Sequence, residues 1–236
     1  MITDLVLLSG GMATRLRPVT EKIPKSMIEV AGKPFIDHQL ELTKSNGILN
    51  VIVCTGFLGE KIEEHTGNGK ELGLDIKYSF DGETLLGTGG AIKKALNLLG
   101  DSFFVMYGDS YLNTDFKIIN EYFFSTHKSG LMTVFRNDGK WDKSNIEFED
   151  SKIKNYDKKS SDVKLKYIDY GLGILTKKAF EDFENENVFD LERVYKNLLI
   201  KDELAGFEVS ERFYEIGSFE GLSATEELLS TKKINR

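Results

Sequence analysis

The feature that most restricts the fold is an alternation of short apolar runs with longer helical periods through residues 1–115. Leu5-Val6-Leu7-Leu8 reads as a first strand and leads into a glycine turn. Residues 35–46 read as a helix whose inner face carries Phe35, Ile36, Leu40 and Leu42 or Thr43. Val51-Ile52-Val53-Cys54 is a β-branched run bounded by Asn50 and Gly56; residues 61–65 are helical in pattern, and Ile76 to Phe80 form another strand. Residues 89–99 place Ala91, Ile92, Ala95, Leu96 and Leu99 at helical spacing, and Phe103 to Met106 follow as a buried strand. Strands separated by helices need crossover connections, so they build a parallel sheet whose ligands collect at the strand C-terminal ends. The expected class is α/β, a mostly parallel sheet flanked by helices.

From Leu131 the pattern changes. Residues 132–135, 146–148 and 152–156 read as strands of a more polar sheet, with helices expected at 177–183 and 191–199. With no internal repeat and no low-complexity linker, residues 1–236 read as one domain with a small C-terminal mixed-sheet elaboration. A chain of 236 residues can bury a sizeable core, and 40% apolar with 29% charged residues argues against disorder. No apolar run approaches the ~20 residues that span a bilayer, and the first run is too short for a secretion signal. The single cysteine, Cys54, excludes an intramolecular disulfide, suits a reducing cytoplasm and reads as a buried strand residue. A net charge of −7 argues against a surface built to hold nucleic acid, although a cleft can still be locally basic.

All three prolines, Pro18, Pro24 and Pro34, stiffen a long connection after the first strand, and long connections are functional suspects. That connection opens with Ser9-Gly10-Gly11-Met12-Ala13-Thr14-Arg15-Leu16. Adjacent glycines let backbone N–H groups approach a phosphate, though a plain βα turn would also use them. The run lacks the lysine-ended Walker loop and the spacing of dinucleotide binders. Arg15 adds a fork of donors suited to phosphate, and Pro24 holds Lys25 near the same strand end.

Together Gly10, Gly11, Thr14, Arg15, Leu16, Pro18, Thr20, Pro24 and Lys25, continued by Gly32-Lys33-Pro34, resemble the signature of the sugar-phosphate nucleotidyltransferases, also called NDP-sugar pyrophosphorylases. The resemblance implies a Rossmann-like fold in which Leu8, Gly10, Gly11 and Thr14 contact a nucleotide. It further implies that Arg15 grips the NTP β- and γ-phosphates and that Lys25 acts at the reacting centre. Residues 1–115 would then bind the nucleotide and 116–236 the acceptor. The chemistry agrees, because nucleotidyl transfer depends on positioning and charge neutralisation.

Leu86-Gly87-Thr88-Gly89-Gly90-Ala91 resembles the family segment near base, ribose and acceptor, which makes Gly87, Thr88 and Gly89 nucleotide-binding candidates. Small residues there let a flat ring lie on the backbone and a helix N-terminus receive an anion; a tight packing loop is the competing reading. Tyr107-Gly108-Asp109 resembles the family's Asn-Gly-Asp, which implies Asp109 as the ligand of Mg²⁺ and a neighbour of the acceptor. Phe213-Tyr214-Glu215-Ile216-Gly217 resembles Trp-x-Asp-Ile-Gly, with Glu215 standing where a second metal-binding Asp is usual. Lys158 stands where the family carries an acceptor-phosphate lysine, although amid Lys152, Lys154, Lys159 and Lys164 a solvated lysine-rich face is the competing reading, and Tyr170 and Gly171 stand where a strand lines the acceptor pocket.

Thymidylyl- and uridylyltransferase members carry a glutamine upstream of the second motif; here Asp81 and Glu83 occupy that region. A carboxylate accepts from cytosine N4 or from guanine's N–H edge, which favours CTP or GTP. The pattern is most similar to heptose 1-phosphate guanylyltransferases. A cytidylyltransferase for a phosphorylated alcohol or amino-acid derivative, and a non-catalytic nucleotide-binding subunit, are the alternatives. His38, His65 and His127 show no metal spacing and read as structural. Trp141, in a polar loop, either stacks on a ligand or, as the preferred reading, caps a small cluster. The expected partners are an NTP and a small phosphorylated acceptor, with no nucleic acid and no membrane; the oligomeric state is not legible.

Overall fold

The computed structural model describes residues 1–11, 22–160 and 162–234. Strand β1 (Asp4–Leu8) is followed, after a 3-10 turn at Lys25–Met27, by the short hairpin β2 (Glu29–Val30) and β3 (Lys33–Pro34). Helix α1 (Phe35–Ser45), β4 (Asn50–Thr55), α2 (Gly59–Thr66), β5 (Asp75–Phe80), α3 (Gly87–Ala95) and β6 (Ser102–Tyr107) come next. Then come β7 (Ser110–Tyr111), α4 (Phe116–Thr126), β8 (Gly130–Arg136), β9 (Ile146–Glu149), β10 (Lys152–Tyr156) and β11 (Tyr167–Thr176). A 3-10 segment at Lys177–Phe183, α5 (Leu191–Ile200), β12 (Leu204–Val209), β13 (Tyr214–Glu215) and α6 (Phe219–Ile234) complete the chain.

Strands β6, β1, β4 and β5 lie side by side and parallel, as crossovers through helices require. Leu5 faces Val51 on one side and Phe104 on the other, so the apolar runs are central strands buried on both faces. The α/β class holds. The later strands form no separate layer: β11 pairs antiparallel with β6, and β8, β9, β10 and β12 extend the same nine-stranded sheet. Two small antiparallel pairs, β2–β3 and β7–β13, stand apart from it.

The sheet is covered on both faces. One core joins Leu5, Leu7, Ile36, Leu40, Phe104 and Phe116 under α1 and α4; the other joins Val6, Ile52, Phe103, Ile92 and Tyr195 under α3 and α5. A third cluster, with Val30, Phe35, Ile216 and Leu229, seats α6 against the β2–β3 hairpin. Helix α4 was not anticipated from the sequence, although Phe116, Ile119, Asn120 and Phe123 form its buried face and Asp115 caps it by accepting from the Lys117 N–H at 2.8 Å. Residues 177–183 form 3-10 turns rather than the α-helix expected. Among the described residues no helix is long and apolar enough to cross a membrane.

Candidate active site

The C-terminal ends of β1, β4 and β6 open into a cleft of about 430 Å³. Its floor is Leu8, Ser9, Gly10, Gly11 and Cys54, and its walls include Lys25, Ser26, Asp81, Gly87, Thr88 and Asp109. Lys25 is set by Pro24, whose carbonyl accepts from the Met27 N–H at 2.9 Å. Its Nζ lies 2.7 Å from Asp109 Oδ2, with side-chain exposures of 15% and 37%. Residues 84 positions apart thus meet as an ion pair at the cleft. Thr14 and Arg15 lie outside the described residues.

Asp109 is held from several directions. The buried Gln39 of α1 donates its amide to the carbonyls of Tyr107 (3.0 Å) and Ser110 (2.8 Å), bracketing the turn. Ser110 Oγ donates to Asp109 Oδ1 at 3.1 Å, and the Asp109 carbonyl accepts from the Ile216 N–H at 2.9 Å. Gln39 has no motif to mark it, and only the three-dimensional placement of α1 beneath this turn identifies it. The sequence reading also passed over Ser9 and Ser26, whose buried hydroxyls line the cleft and have no hydrogen-bond partner among the described residues. Unpaired buried hydroxyls are costly alone and are suited to ligand oxygens.

The second motif divides between two tasks. Gly87 and Thr88 line the cleft, while Gly87, Gly89 and Gly90 all pack against residues 187–190. The N–H groups of Gly89 and Gly90 both donate to the Phe189 carbonyl, at 2.9 and 3.0 Å, so these donors at the start of α3 are already engaged. A Cβ on Gly90 would lie 2.2 Å from the Asn187 carbonyl oxygen. Gly90→Ala is therefore expected to cost about 1–3 kcal/mol through overpacking. Thermal unfolding should register it as about 2–4 °C of Tm for each kcal/mol.

Asp81 reaches the cleft and Glu83 does not. Asp81 Oδ2 accepts from the Leu86 N–H at 3.2 Å, which ties the second motif to β5. Burial raises the Asp81 pKa, against the lowering effects of that N–H and of Lys94. Glu83 is exposed. Burial pushes the Cys54 thiol up to about 12, with the Asp81 charge adding to it, so this cysteine is a buried strand residue and not a nucleophile.

Lys158, the candidate acceptor-phosphate lysine, is singled out from its neighbours: its Nζ lies 5.5 Å from the Tyr107 ring centroid and 5.8 Å from that of Tyr156. Tyr156 donates to Asp169 Oδ2 at 3.1 Å, while Asp169 Oδ1 accepts from the Gly171 N–H at 3.0 Å. Burial first, then the Asp169 charge, holds the Tyr156 phenol above the usual tyrosine range. Gly171 sits at an irregularity in β11 with φ +94°, where a Cβ would come 3.3 Å from the Tyr107 ring. Tyr170 points to the other face and is 1% exposed, packed in the core with Phe135 and Phe213, and so does not reach an acceptor here.

Mg²⁺ takes one or two carboxylates and completes its shell with phosphate oxygens and water. Asp109, half-exposed at the cleft, fits as such a ligand. Among the described residues no three His, Cys, Asp or Glu side chains gather as an all-protein metal site. Glu215, paired through its backbone with Ser110, turns its carboxylate to the Gly217 N–H and to the Ser218 hydroxyl at 2.5 Å. It closes the turn leading into α6, where Ser218 Oγ accepts from the Gly221 N–H at 3.0 Å, so both of its oxygens are engaged, as those of Asp109 are by Lys25 and Ser110. The histidines are structural: His38 Nε2 meets the Val30 carbonyl at 2.7 Å, His65 pairs with Asp37, and His127 ends α4.

Known proteins resemble this chain over most of its length. The family model described as nucleotidyl transferase matches residues 5–198. D-glycero-alpha-D-manno-heptose 1-phosphate guanylyltransferase of Campylobacter jejuni is 30% identical over 90% of this chain and 93% of its own. Mannose-1-phosphate guanylyltransferase catalytic subunit beta of Drosophila melanogaster is 27% identical over 91% of this chain and 59% of its own. The crystal structure of HddC from Yersinia pseudotuberculosis complexed with GMP-PN superimposes with a TM-score of 0.81, at 26% identity over 97% of this chain and 100% of that one. The chain belongs to the nucleotidyl transferase family.

Proposed function

We propose that the protein transfers a nucleoside monophosphate from an NTP to a sugar 1-phosphate, releasing pyrophosphate, with GTP the favoured donor and a heptose 1-phosphate the favoured acceptor. The observation that carries the reading is the Lys25–Asp109 pair at the mouth of the glycine-floored cleft. The names of the Campylobacter and Drosophila relatives and the GMP-PN complex of HddC support guanine. Asp81, with a carboxylate in the cleft, supplies an acceptor for guanine's N–H edge.

An oxygen of the sugar phosphate attacks the α-phosphorus in line. The bond from that phosphorus to the α,β-bridging oxygen breaks, and pyrophosphate leaves with the electron pair. The acceptor phosphate is already anionic near neutral pH, so no general base is needed, consistent with the structural roles of the histidines. Lys25 offsets charge at the α-phosphate, Lys158 offsets it on the acceptor, and Arg15 holds the leaving phosphates. Residues 1–115 hold the donor and 116–236 the acceptor. Mg²⁺, held by Asp109, would neutralise phosphate charge and orient its oxygens.

A screen of four NTPs against sugar 1-phosphates and phosphorylated alcohols, read by pyrophosphate release, tests the reading. The expected result is GTP-dependent release with a sugar 1-phosphate, abolished by EDTA and restored by Mg²⁺. Preference for CTP with a phosphorylated alcohol would replace the assignment with a cytidylyltransferase, and nucleotide binding without release would identify a non-catalytic subunit.

A further inference from the structure

One cluster has no part in the scheme above. The guanidinium carbon of Arg212 lies 3.6 Å from the centroid of the Trp141 ring and 4.3 Å from that of Tyr214, so the planar cation is sandwiched between two aromatic faces. Arg212 Nε donates to the Phe213 carbonyl at 3.3 Å, and among the described residues no other hydrogen bond or ion pair engages the side chain. Among the described residues its two Nη groups have no partner.

Trp141 is 50% exposed, yet its loop is fastened from within. The buried Asn137 donates to the Asp142 carbonyl at 2.6 Å and to the Ser144 hydroxyl at 3.0 Å, and accepts from the Trp141 N–H at 3.1 Å. An exposed indole on a rigid loop, closed onto an arginine with spare donors, is more than surface packing requires.

Topology puts the sandwich beside the acceptor elements. Strands β8 and β6 are both antiparallel to β11, so the loop after β8 leaves the sheet at the end where Asp109 follows β6. That loop is tied to the Lys158 segment: Lys143 Nζ donates to the Lys159 carbonyl at 2.8 Å, and the Asn145 carbonyl accepts from the Asp157 N–H at 2.9 Å. On the other side, Arg212 and Tyr214 run directly into Glu215 and Ile216, whose backbone pairs with Ser110 and Asp109. The loops that carry the sandwich are therefore tied both to the Lys158 segment and to the Asp109 turn.

We propose that Trp141, Arg212 and Tyr214 form an acceptor-selecting clamp, in which the two rings hold Arg212 so that its Nη groups donate to sugar oxygens of the bound sugar 1-phosphate. The clamp rests on the acceptor class given under Proposed function. Lysine in place of Arg212 keeps the charge but lacks the planar fork, so it restores the function only in part.

Trp141 is the chain's single tryptophan, so intrinsic fluorescence reads the clamp directly. The test measures KM for GTP and for heptose 1-phosphate in the unaltered protein, Arg212→Ala and Arg212→Lys, alongside Trp emission titrated with heptose 1-phosphate. Arg212→Ala should raise the acceptor KM about tenfold or more with the GTP KM within about twofold, and Arg212→Lys should fall between. The acceptor should change Trp emission in the unaltered protein and not in Arg212→Ala. An unchanged acceptor KM in Arg212→Ala, or equal rises for both substrates, overturns the clamp while leaving the transferase intact. An unaltered protein that releases no pyrophosphate with any sugar 1-phosphate overturns the acceptor reading, and the clamp falls with it.

Discussion

Lys25→Met is expected to lower nucleotidyl transfer by about two to three orders of magnitude with little change in the fold, the scale seen when one charge-stabilising donor is removed from a transfer site. The methionine keeps the apolar stem in its mostly buried channel and removes only the ammonium, whose Nζ lies 2.7 Å from Asp109 Oδ2. Because Asp109 is 37% exposed, solvent screens the carboxylate left behind, and the pair's contribution to stability is small. Thermal unfolding should therefore be nearly unchanged while steady-state pyrophosphate release collapses. Near-normal turnover in a folded Lys25→Met protein would remove Lys25 from the reaction.

Asp109→Asn should have an effect of similar size by a different route. Asparagine keeps the shape and the backbone bond to Ile216, but it cannot neutralise Lys25 or hold Mg²⁺ as a carboxylate does. Turnover is expected to fall about 100-fold or more and the Mg²⁺ concentration for half-maximal rate to rise. A variant whose Mg²⁺ dependence matched that of the unaltered protein would place the metal elsewhere. Since Lys25 and Asp109 touch, the double variant should be less impaired than the product of the single effects.

The two substitutions also separate what the sequence makes legible from what it does not. Central strands such as Val51–Cys54 and Phe103–Met106 are continuous apolar runs, because both faces are buried, and they can be recognised without any long-range information. Lys25 and Asp109 stand out because each follows a local marker, a proline in one case and a buried strand in the other. That they meet could be expected from the fold, since the connection carrying Lys25 leaves the C-terminal end of β1, beside the end of β6 that Asp109 follows.

Residues that act by packing leave no such trace. Gln39 is one polar residue on a helix face, and its grip on the Asp109 turn exists only once α1 lies beneath β6 and β7. Tyr170 and Asp169 are adjacent, yet the two-residue period of β11 sends the first into the core and the second toward Tyr156, a distinction that motif matching alone does not make. The glycines of the second motif look alike in sequence. Gly87 borders the cleft with its back to the Phe189 carbonyl, while Gly90 lies away from the cleft against the Asn187 carbonyl. Helix α4 was missed because Tyr122-Phe123-Phe124 suits a strand as well as a helix.

The most direct measurement of the central claim follows the α-phosphorus. With GTP labelled at the α-position and a heptose 1-phosphate acceptor, label should pass into a product that contains the sugar, in step with unlabelled pyrophosphate. Label that stays in GTP, or leaves as free GMP without joining the sugar, would contradict transfer to a sugar phosphate.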